Sequence, residues 1–178
     1  MGTGVSLIGD EARALIGQVT FRAQGIARLS EGRRYAAAVG DDNPLYWNHR
    51  YARLAGYRAA ILPPLFTQYV TRNSFDLSDI RTDGLGMASD SAGVPLPACP
   101  RKMAAGIDWH FFDVVYDQDL ITQERVLESL EEKSGRTGAF VLVISTNIYT
   151  KLDNQLVARS RSTVIARPPA DVAVRESE

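Results

Sequence analysis

Apolar residues alternate with polar ones or fill whole segments through most of the chain between residues 107 and 167. Four segments there are rich in β-branched and aromatic residues, as strands are, and they cover 107–116, 120–131, 138–149 and 155–167. Polar turn residues separate the last three of these segments. We therefore predict that the four strands form an antiparallel meander.

The N-terminal part has helix signals, apart from an extended segment expected over 18–23. A short helix is expected over 11–16. Ser30 is a good N-cap residue for a further helix that runs to Val39, and Gly40 should end it.

Two prolines mark further helix starts. Asn43-Pro44 is an N-cap residue followed by proline at the first helical position, so a helix should run from here to near Gly56. Pro63-Pro64 opens another helix, which is expected over 65–73 and carries an apolar stripe.

Residues 74–104 keep no apolar period and mix Asp, Ser, Gly and Pro. We expect a lid or a dimer-contacting insertion there. Helices followed by antiparallel strands predict one α+β domain over 1–167, in which the sheet wraps around the central helix opened by Pro63-Pro64. Residues 168–178 should form a polar tail. Because a single sheet leaves an edge and a face uncovered, a homodimer is expected.

Composition excludes several classes of function. The net charge of −1 gives no field that would attract nucleic acid or an anionic membrane. No apolar run approaches the roughly 18 residues of a membrane-spanning helix. The single cysteine, Cys99, excludes an internal disulfide, and with two histidines it offers no usual metal site. We expect a cytoplasmic protein without a metal, a cofactor, or a nucleic-acid or membrane partner.

The stretch Gly40-Asp-Asp-Asn-Pro-Leu-Tyr46 carries the most specific motif. It resembles the signature of the MaoC-like, or (R)-specific enoyl hydratase, family, which runs Gly-Asp-x-Asn-Pro-aliphatic-His with a small residue six positions later. Ala52 is that small residue, and Tyr46 stands in the histidine position. The form Pro-Pro-Leu-Phe at 63–66, with Trp109-x-Phe and Ala158-Arg159, looks closest to the FAS1-like, or MaoC N-terminal dehydratase, branch. The resemblance extends over about 30–167.

The resemblance implies a hot-dog fold and an enzyme that interconverts (3R)-hydroxyacyl and trans-2-enoyl thioesters of coenzyme A or acyl carrier protein. In that family an aspartate and a histidine flank one water, while backbone N–H groups at a helix start stabilise the enolate-like oxygen. Asp41 and Tyr46 occupy the positions of the catalytic pair. The substrate-binding residues that we expect are Asn43, His49, Pro64, Leu65 and Phe66.

Two departures from the family pattern affect this chemistry. A phenol donates a hydrogen bond or a proton but is a poor base at neutral pH, so Tyr46 cannot act as the base that an imidazole would be. His49, three residues later on the same predicted helix, is a candidate stand-in, although a solvated helix histidine is the simpler interpretation. Pro64 has no N–H to give, which leaves the Leu65 and Phe66 amides as donors.

Three hypotheses therefore stay open. The chain is an active hydratase–dehydratase, with Asp41 as base and Tyr46 as proton donor. Alternatively it is a non-catalytic acyl-binding subunit of a heteromer whose second hot-dog chain supplies the Asp/His pair. The third possibility is a changed chemistry on acyl thioesters that uses Tyr46, such as a decarboxylase, isomerase or thioesterase.

Overall fold

The computed structural model describes residues 6–72, 93–136 and 138–169. It contains five strands, five α-helices and one 3-10 turn within these ranges. The helices and the turn are α1 (Asp10–Ala14), α2 (Leu29–Val39), α3 (Pro44–Trp47), α4 (His49–Leu54), the 3-10 turn (Pro64–Phe66) and α5 (Thr67–Val70). The strands are β1 (Val19–Ile26), β2 (Arg101–Phe111), β3 (Leu120–Gly135), β4 (Gly138–Thr150) and β5 (Leu156–Arg167).

The five strands form one antiparallel sheet in the order β1-β3-β4-β5-β2, which confirms the predicted α+β class. The predicted antiparallel meander is correct for β3, β4 and β5, which are adjacent in the sheet, and wrong for β2, which is not adjacent to β3. Strand β3 has only two edges, and β1 and β4 take them both. Strand β2 therefore lies at the edge of the sheet opposite β1, where it pairs with β5.

The expected irregular segment ends earlier than predicted. Strand β2 begins at Arg101, which pairs with Arg167, so residues 101–104 belong to the sheet. The predicted strand also ends too late, since β2 stops at Phe111. Residues 93–100 carry buried side chains that pack with α1 and with the sheet, namely Val94, Leu96 and Cys99. The rest of the predicted lid, 74–92, lies outside the described residues, as do residues 170–178 of the predicted tail.

Helix α2 shows how tertiary contacts move a helix start. Ser30 is not the N-cap, because the helix begins at Leu29 and Arg28 precedes it without a side-chain cap. The Leu29 N–H donates instead to the carboxylate of Asp117, at 2.8 Å, from the loop between β2 and β3. The predicted end is confirmed, since Gly40 adopts the left-handed conformation with φ of 71°.

The two later helices are shorter than predicted. The helix expected from Asn43-Pro44 to Gly56 is divided at Asn48, whose φ of −123° is not helical. The Asn48 side chain accepts from the N–H groups of Arg50 and Tyr51 and so starts α4 as its N-cap. The segment after Pro63 forms the 3-10 turn and α5, which end at Val70.

The segment opened by Pro63-Pro64 does pack against the sheet, as predicted. Phe66 and Val70 share a buried cluster with strand residues of β3, β4 and β5, namely Ile121, Tyr149, Val157 and Ala158. Ala158 is fully buried, and this small side chain leaves room for the turn to lie close to the sheet.

A buried polar row crosses the same face of the sheet. Arg125, Asn147 and Ser160 are successive cross-strand partners on β3, β4 and β5, and directly paired residues point to the same face. The Asn147 carboxamide oxygen accepts from Gln123 Nε2 and from Arg125 Nε, each at 2.9 Å, while its Nδ2 donates to Ser160 Oγ at 3.2 Å. Thr71, just after α5, donates to Gln123 Oε1 at 2.6 Å. The row thereby joins three strands to the end of α5.

Tyr149 should make the fold sensitive to alkali. Its side chain is 2% exposed, and burial raises its pKa from 10.0 to about 12. The folded protein keeps this proton where the unfolded chain has lost it. The stability that Tyr149 contributes is therefore fully present below pH 10, and about 2–3 kcal/mol of it is lost as the pH rises towards 12. Urea unfolding at several pH values should show this fall.

Tyr149→Phe removes this titrating group and should reduce the alkaline fall, while it costs roughly 1 kcal/mol near neutrality through the lost interaction with Ser160. An equal alkaline loss in wild type and variant would contradict the assignment. Tyr51→Phe, at a phenol that is 48% exposed, is the control and should change neither measurement.

Candidate active site

Asp41 is held at the junction between α2 and α3. Its N–H donates to the carbonyl of Ala36 at 2.8 Å, directly after the left-handed turn at Gly40. Its carboxylate accepts the Asn43 N–H at 3.1 Å. The side chain is partly exposed, and these two hydrogen bonds hold the carboxylate at the junction.

Asn43 is the N-cap of α3, as the sequence predicts. Its Oδ1 accepts the Leu45 N–H at 3.1 Å, and Pro44 takes the first helical position. The same side chain also interacts with the hydroxyl of Tyr46. Asn43 thus connects the helix start to the phenol.

Tyr46 points inward and is 5% exposed, packed against Ala36 and Ile61. Its hydroxyl interacts with the side chains of Asp41 and Asn43. Burial, and then the Asp41 charge, raise the pKa of the phenol above its ordinary value of 10.0. Tyr46 therefore stays protonated at neutral pH and is available as a hydrogen-bond donor. The fold therefore places Asp41 and Tyr46, the two residues predicted as the catalytic pair, close together.

Tyr35, which the motif does not include, lies beside this pair. Burial, the neighbouring Tyr69 and the Asp41 charge raise its pKa. Its ring lies 5.6 Å from that of Phe66 and 5.5 Å from that of Tyr69, between ring centroids. The Asp41 carboxylate therefore interacts electrostatically with two phenols, those of Tyr35 and Tyr46.

A sequence signal for Tyr35 exists in Gly32, three residues earlier on α2. A Cβ at Gly32 would lie 3.2 Å from Leu62 Cγ and from Pro63 Cδ, so the helix packs tightly on the segment before the 3-10 turn. A glycine in a helix interior often marks such a close approach. One turn further on, the same helix face presents Tyr35 to Phe66.

His49 lies on α4 with an exposed side chain, and its Nδ1 accepts the Ala60 N–H at 3.2 Å. That bond leaves Nε2 as the nitrogen that faces outward. A role for His49 in substrate binding stays a prediction. His110, the other histidine, lies exposed on β2 opposite Arg159.

The 3-10 turn determines which backbone N–H groups remain as donors at its start. The Phe66 N–H donates to the Pro63 carbonyl at 2.9 Å. Pro64 has no N–H, so the Leu65 amide remains as the first-turn donor. Pro64 also lines a cleft of about 230 Å³, which runs between Leu62 and Thr67 on one side and residues 111–115 on the other.

Two larger surface clefts lie elsewhere. One, of about 670 Å³, surrounds Arg58, Asp119 and Lys151, and the other, of about 460 Å³, lies beside Ile26 and Arg28. Asp41 and Tyr46 line none of these three clefts, and an acyl tunnel at the pair stays a prediction. Within the described ranges, no three His, Cys, Asp or Glu side chains are grouped so as to hold a metal. No helix there is both long and apolar enough to cross a membrane.

Comparison with solved structures shows the fold. The chain is similar to a chain of the ChsH1–ChsH2 complex from Mycobacterium tuberculosis, with a TM-score of 0.69 and 16% identity over 85% of this chain and 89% of that one. A chain of the HadBC (3R-hydroxyacyl-ACP dehydratase) complex from the same organism gives 0.57, with 18% identity over 82% and 94%. The (R)-hydratase from A. caviae involved in PHA biosynthesis gives 0.56, with 18% identity over 85% and 97%. These matches confirm the hot-dog fold.

A comparison with curated protein sequences finds no match. The family model described as "FAS1-like, dehydratase domain region" matches residues 15–160, which include the motif, Tyr35 and most of the sheet. This chain therefore belongs to the FAS1-like dehydratase domain family.

Proposed function

We propose that this chain is an acyl-thioester hydratase–dehydratase that interconverts (3R)-hydroxyacyl and trans-2-enoyl thioesters of coenzyme A or acyl carrier protein. The observation that carries the proposal is the meeting of Asp41 with the buried phenol of Tyr46 at the family motif. Asp41 is the proton acceptor, and protonated Tyr46 is the donor. A positioned base contributes roughly 10²–10⁴-fold to such a reaction.

The substrate lies, in this proposal, against the residues that surround the pair. Asn43 and His49 contact the thioester portion, and the turn formed by Pro64, Leu65 and Phe66 faces the acyl group. The Leu65 N–H stabilises the enolate-like oxygen, in place of the amide that Pro64 lacks.

Hydration of crotonyl-CoA tests the proposal. Asp41→Asn keeps the size of the side chain but removes the base, so it should lower kcat/KM by roughly 10²–10⁴-fold. Asp42→Asn, at the exposed neighbouring carboxylate, is the matched control and should act as the wild type does. Hydration that survives in Asp41→Asn would contradict the proposed base.

A second candidate, a heteromeric subunit, has support from β2. This edge strand exposes most of its side chains, among them Met103, Ile107 and Phe111 at 55%, 50% and 42%. An exposed apolar edge strand is a pairing surface that proteins usually cover. Both the ChsH1–ChsH2 and HadBC structures are complexes of two different chains. We therefore propose that β2 pairs with a second hot-dog chain, either a copy of this one or a different subunit.

The same assay separates the two candidates. A chain that is active alone, and a dimer by sedimentation, supports the homodimeric enzyme. Hydration only after a second hot-dog chain is added, with no effect of Asp41→Asn, supports the non-catalytic subunit. A cytoplasmic location remains part of this proposal.

A further inference from the structure

The groups around Asp41 include one base and two hydrogen-bond donors. Tyr46 packs against Ala36, whose carbonyl accepts the Asp41 N–H, and Tyr35 directly precedes Ala36 on α2. Both phenols therefore interact with the Asp41 charge, and the Asn43 N–H donates to the Asp41 carboxylate. Of the two histidines, His49 accepts the Ala60 N–H through Nδ1, and His110 lies on β2. The side chains that these contacts place around Asp41 therefore supply one carboxylate and two phenol hydroxyls.

One carboxylate with two hydroxyl donors also suits a reaction other than hydration. Adding water to an enoyl thioester needs a base that activates the water and an acid that protonates C2. A proton shift between two carbons needs only one carboxyl group, because the same group first takes the proton and then returns it. It also needs donors for the negative charge that develops on the thioester oxygen.

We propose that this site catalyses the positional isomerisation of 3-enoyl thioesters to conjugated 2-enoyl thioesters, with Asp41 carrying the proton and Tyr46 and Tyr35 donating hydrogen bonds to the thioester oxygen. This inference rests on the proposed binding of an acyl thioester at Asp41. The substrate class is a thioester whose double bond lies between C3 and C4.

The step balances without a cofactor or water. Asp41 removes a proton from C2, and the C–H electron pair forms a C1=C2 bond while the carbonyl pair moves to oxygen. The resulting dienolate then closes its carbonyl, the double bond moves to C2=C3, and C4 takes the proton from the Asp41 carboxyl group. The carboxylate is regenerated, and nothing is oxidised or reduced.

The phenol hydroxyls can donate to whichever oxygen carries the negative charge during the reaction. Before proton transfer the negative charge lies on Asp41, which Tyr46 contacts. After transfer the carboxyl group is neutral and the enolate oxygen becomes the stronger acceptor. Tyr35 is fixed by its contacts with Phe66 and Tyr69, so its hydroxyl needs little reorganisation.

The aromatic rings around Tyr35 hold it in place. The rings of Phe66 and Tyr69 lie 6.0 Å apart, and both lie within 5.6 Å of the Tyr35 ring, so the three rings pack together. A donor held in this way is preorganised for the developing oxyanion.

The test uses the purified full chain with trans-3-hexenoyl-CoA. Proton NMR follows the loss of this substrate, and absorbance follows the formation of the conjugated product. Asp41→Asn should lower the rate by roughly 10²–10⁴-fold. Tyr46→Phe and Tyr35→Phe should each lower kcat by roughly 10–10³-fold with little change in KM, because each removes only a donor to the transition state. Tyr51→Phe, an exposed phenol on α4, should leave the rate unchanged.

Crotonyl-CoA hydration, measured on the same samples, distinguishes this inference from the proposed function. Isomerisation with the expected variant losses supports the inference whether or not hydration occurs. Hydration without isomerisation overturns the inference and leaves the hydratase in place, whereas the absence of both reactions overturns both. Isomerisation that survives Tyr46→Phe and Tyr35→Phe overturns the role given to the phenols. Circular dichroism on each variant confirms that the fold is kept.

Discussion

Replacing Asn147 by leucine should lower the free energy of unfolding by about 3–5 kcal/mol. Asn147 is 4% exposed and its Oδ1 accepts from both Gln123 and Arg125. Leucine has a similar volume but accepts no hydrogen bond, so buried Gln123 and the half-buried, cationic Arg125 both lose this acceptor. Chemical denaturation at neutral pH measures the change.

Asn147→Asp is the informative control, because its carboxylate still accepts from Gln123 and Arg125 and loses only the bond that Asn147 donates to Ser160. Its cost should stay below about 2 kcal/mol. A leucine variant within 1 kcal/mol of the wild type would mean that the polar row contributes little. The double variant Gln123→Leu with Asn147→Leu should cost less than the sum of the single changes, since it removes both ends of one bond.

Leu62→Ala is the second large expected effect, a loss of about 3–4 kcal/mol. Leu62 is 2% exposed and belongs to the core cluster beneath the 3-10 turn. Its side chain lies against Gly32 of α2 and lines the cleft beside Pro64. Truncation removes apolar contacts and leaves a cavity that the two prolines after Leu62 prevent the backbone from closing.

Leu54→Ala is the matched control, because Leu54 lies on α4 and is 81% exposed. Its stability should remain within about 0.5 kcal/mol of the wild type. Equal losses in the two variants would show that the segment before the turn is not part of the core. Because Leu62 also supports Phe66, the variant should weaken any activity that depends on Tyr35, and thermal denaturation monitored beside the assay separates the two effects.

The phenols give the site a different acid–base character from an aspartate–histidine pair. An imidazole gains and loses a proton near neutral pH. Burial raises the pKa of the Tyr46 phenol, so that group stays protonated there. Replacing imidazole by phenol therefore exchanges a group that both accepts and donates protons for one that only donates, either a hydrogen bond or a proton. That exchange underlies both the proposed hydratase role of Tyr46 and the inferred isomerisation.

Local signals in the sequence predicted several features correctly. The Asn43 cap of α3 and the left-handed Gly40 follow from hydrogen bonds and backbone conformations within a few residues, which do not depend on the rest of the fold. Strands β3, β4 and β5 followed in the same way from β-branched runs and intervening turns. The motif at 40–46 indicated the family, and the family model confirms it.

Other features depend on partners that are distant in sequence. Ser30 lost its expected capping role because Asp117, nearly ninety positions away, caps α2. The neighbour of β2 was settled by competition for the edges of β3. Tyr35 entered the site only because the close packing at Gly32 brought α2 against the turn at Phe66.

The sequence by itself therefore determined strands β3 to β5, the Asn43 cap, the end of α2 at Gly40 and the family, since those depend on interactions between near neighbours along the chain. Only the tertiary structure decided the strand order, the polar row around Asn147 and the second phenol beside Asp41. Each of these arises where segments far apart in sequence compete for the same sheet edge, hydrogen-bond partner or buried space, and such competition has no local signature.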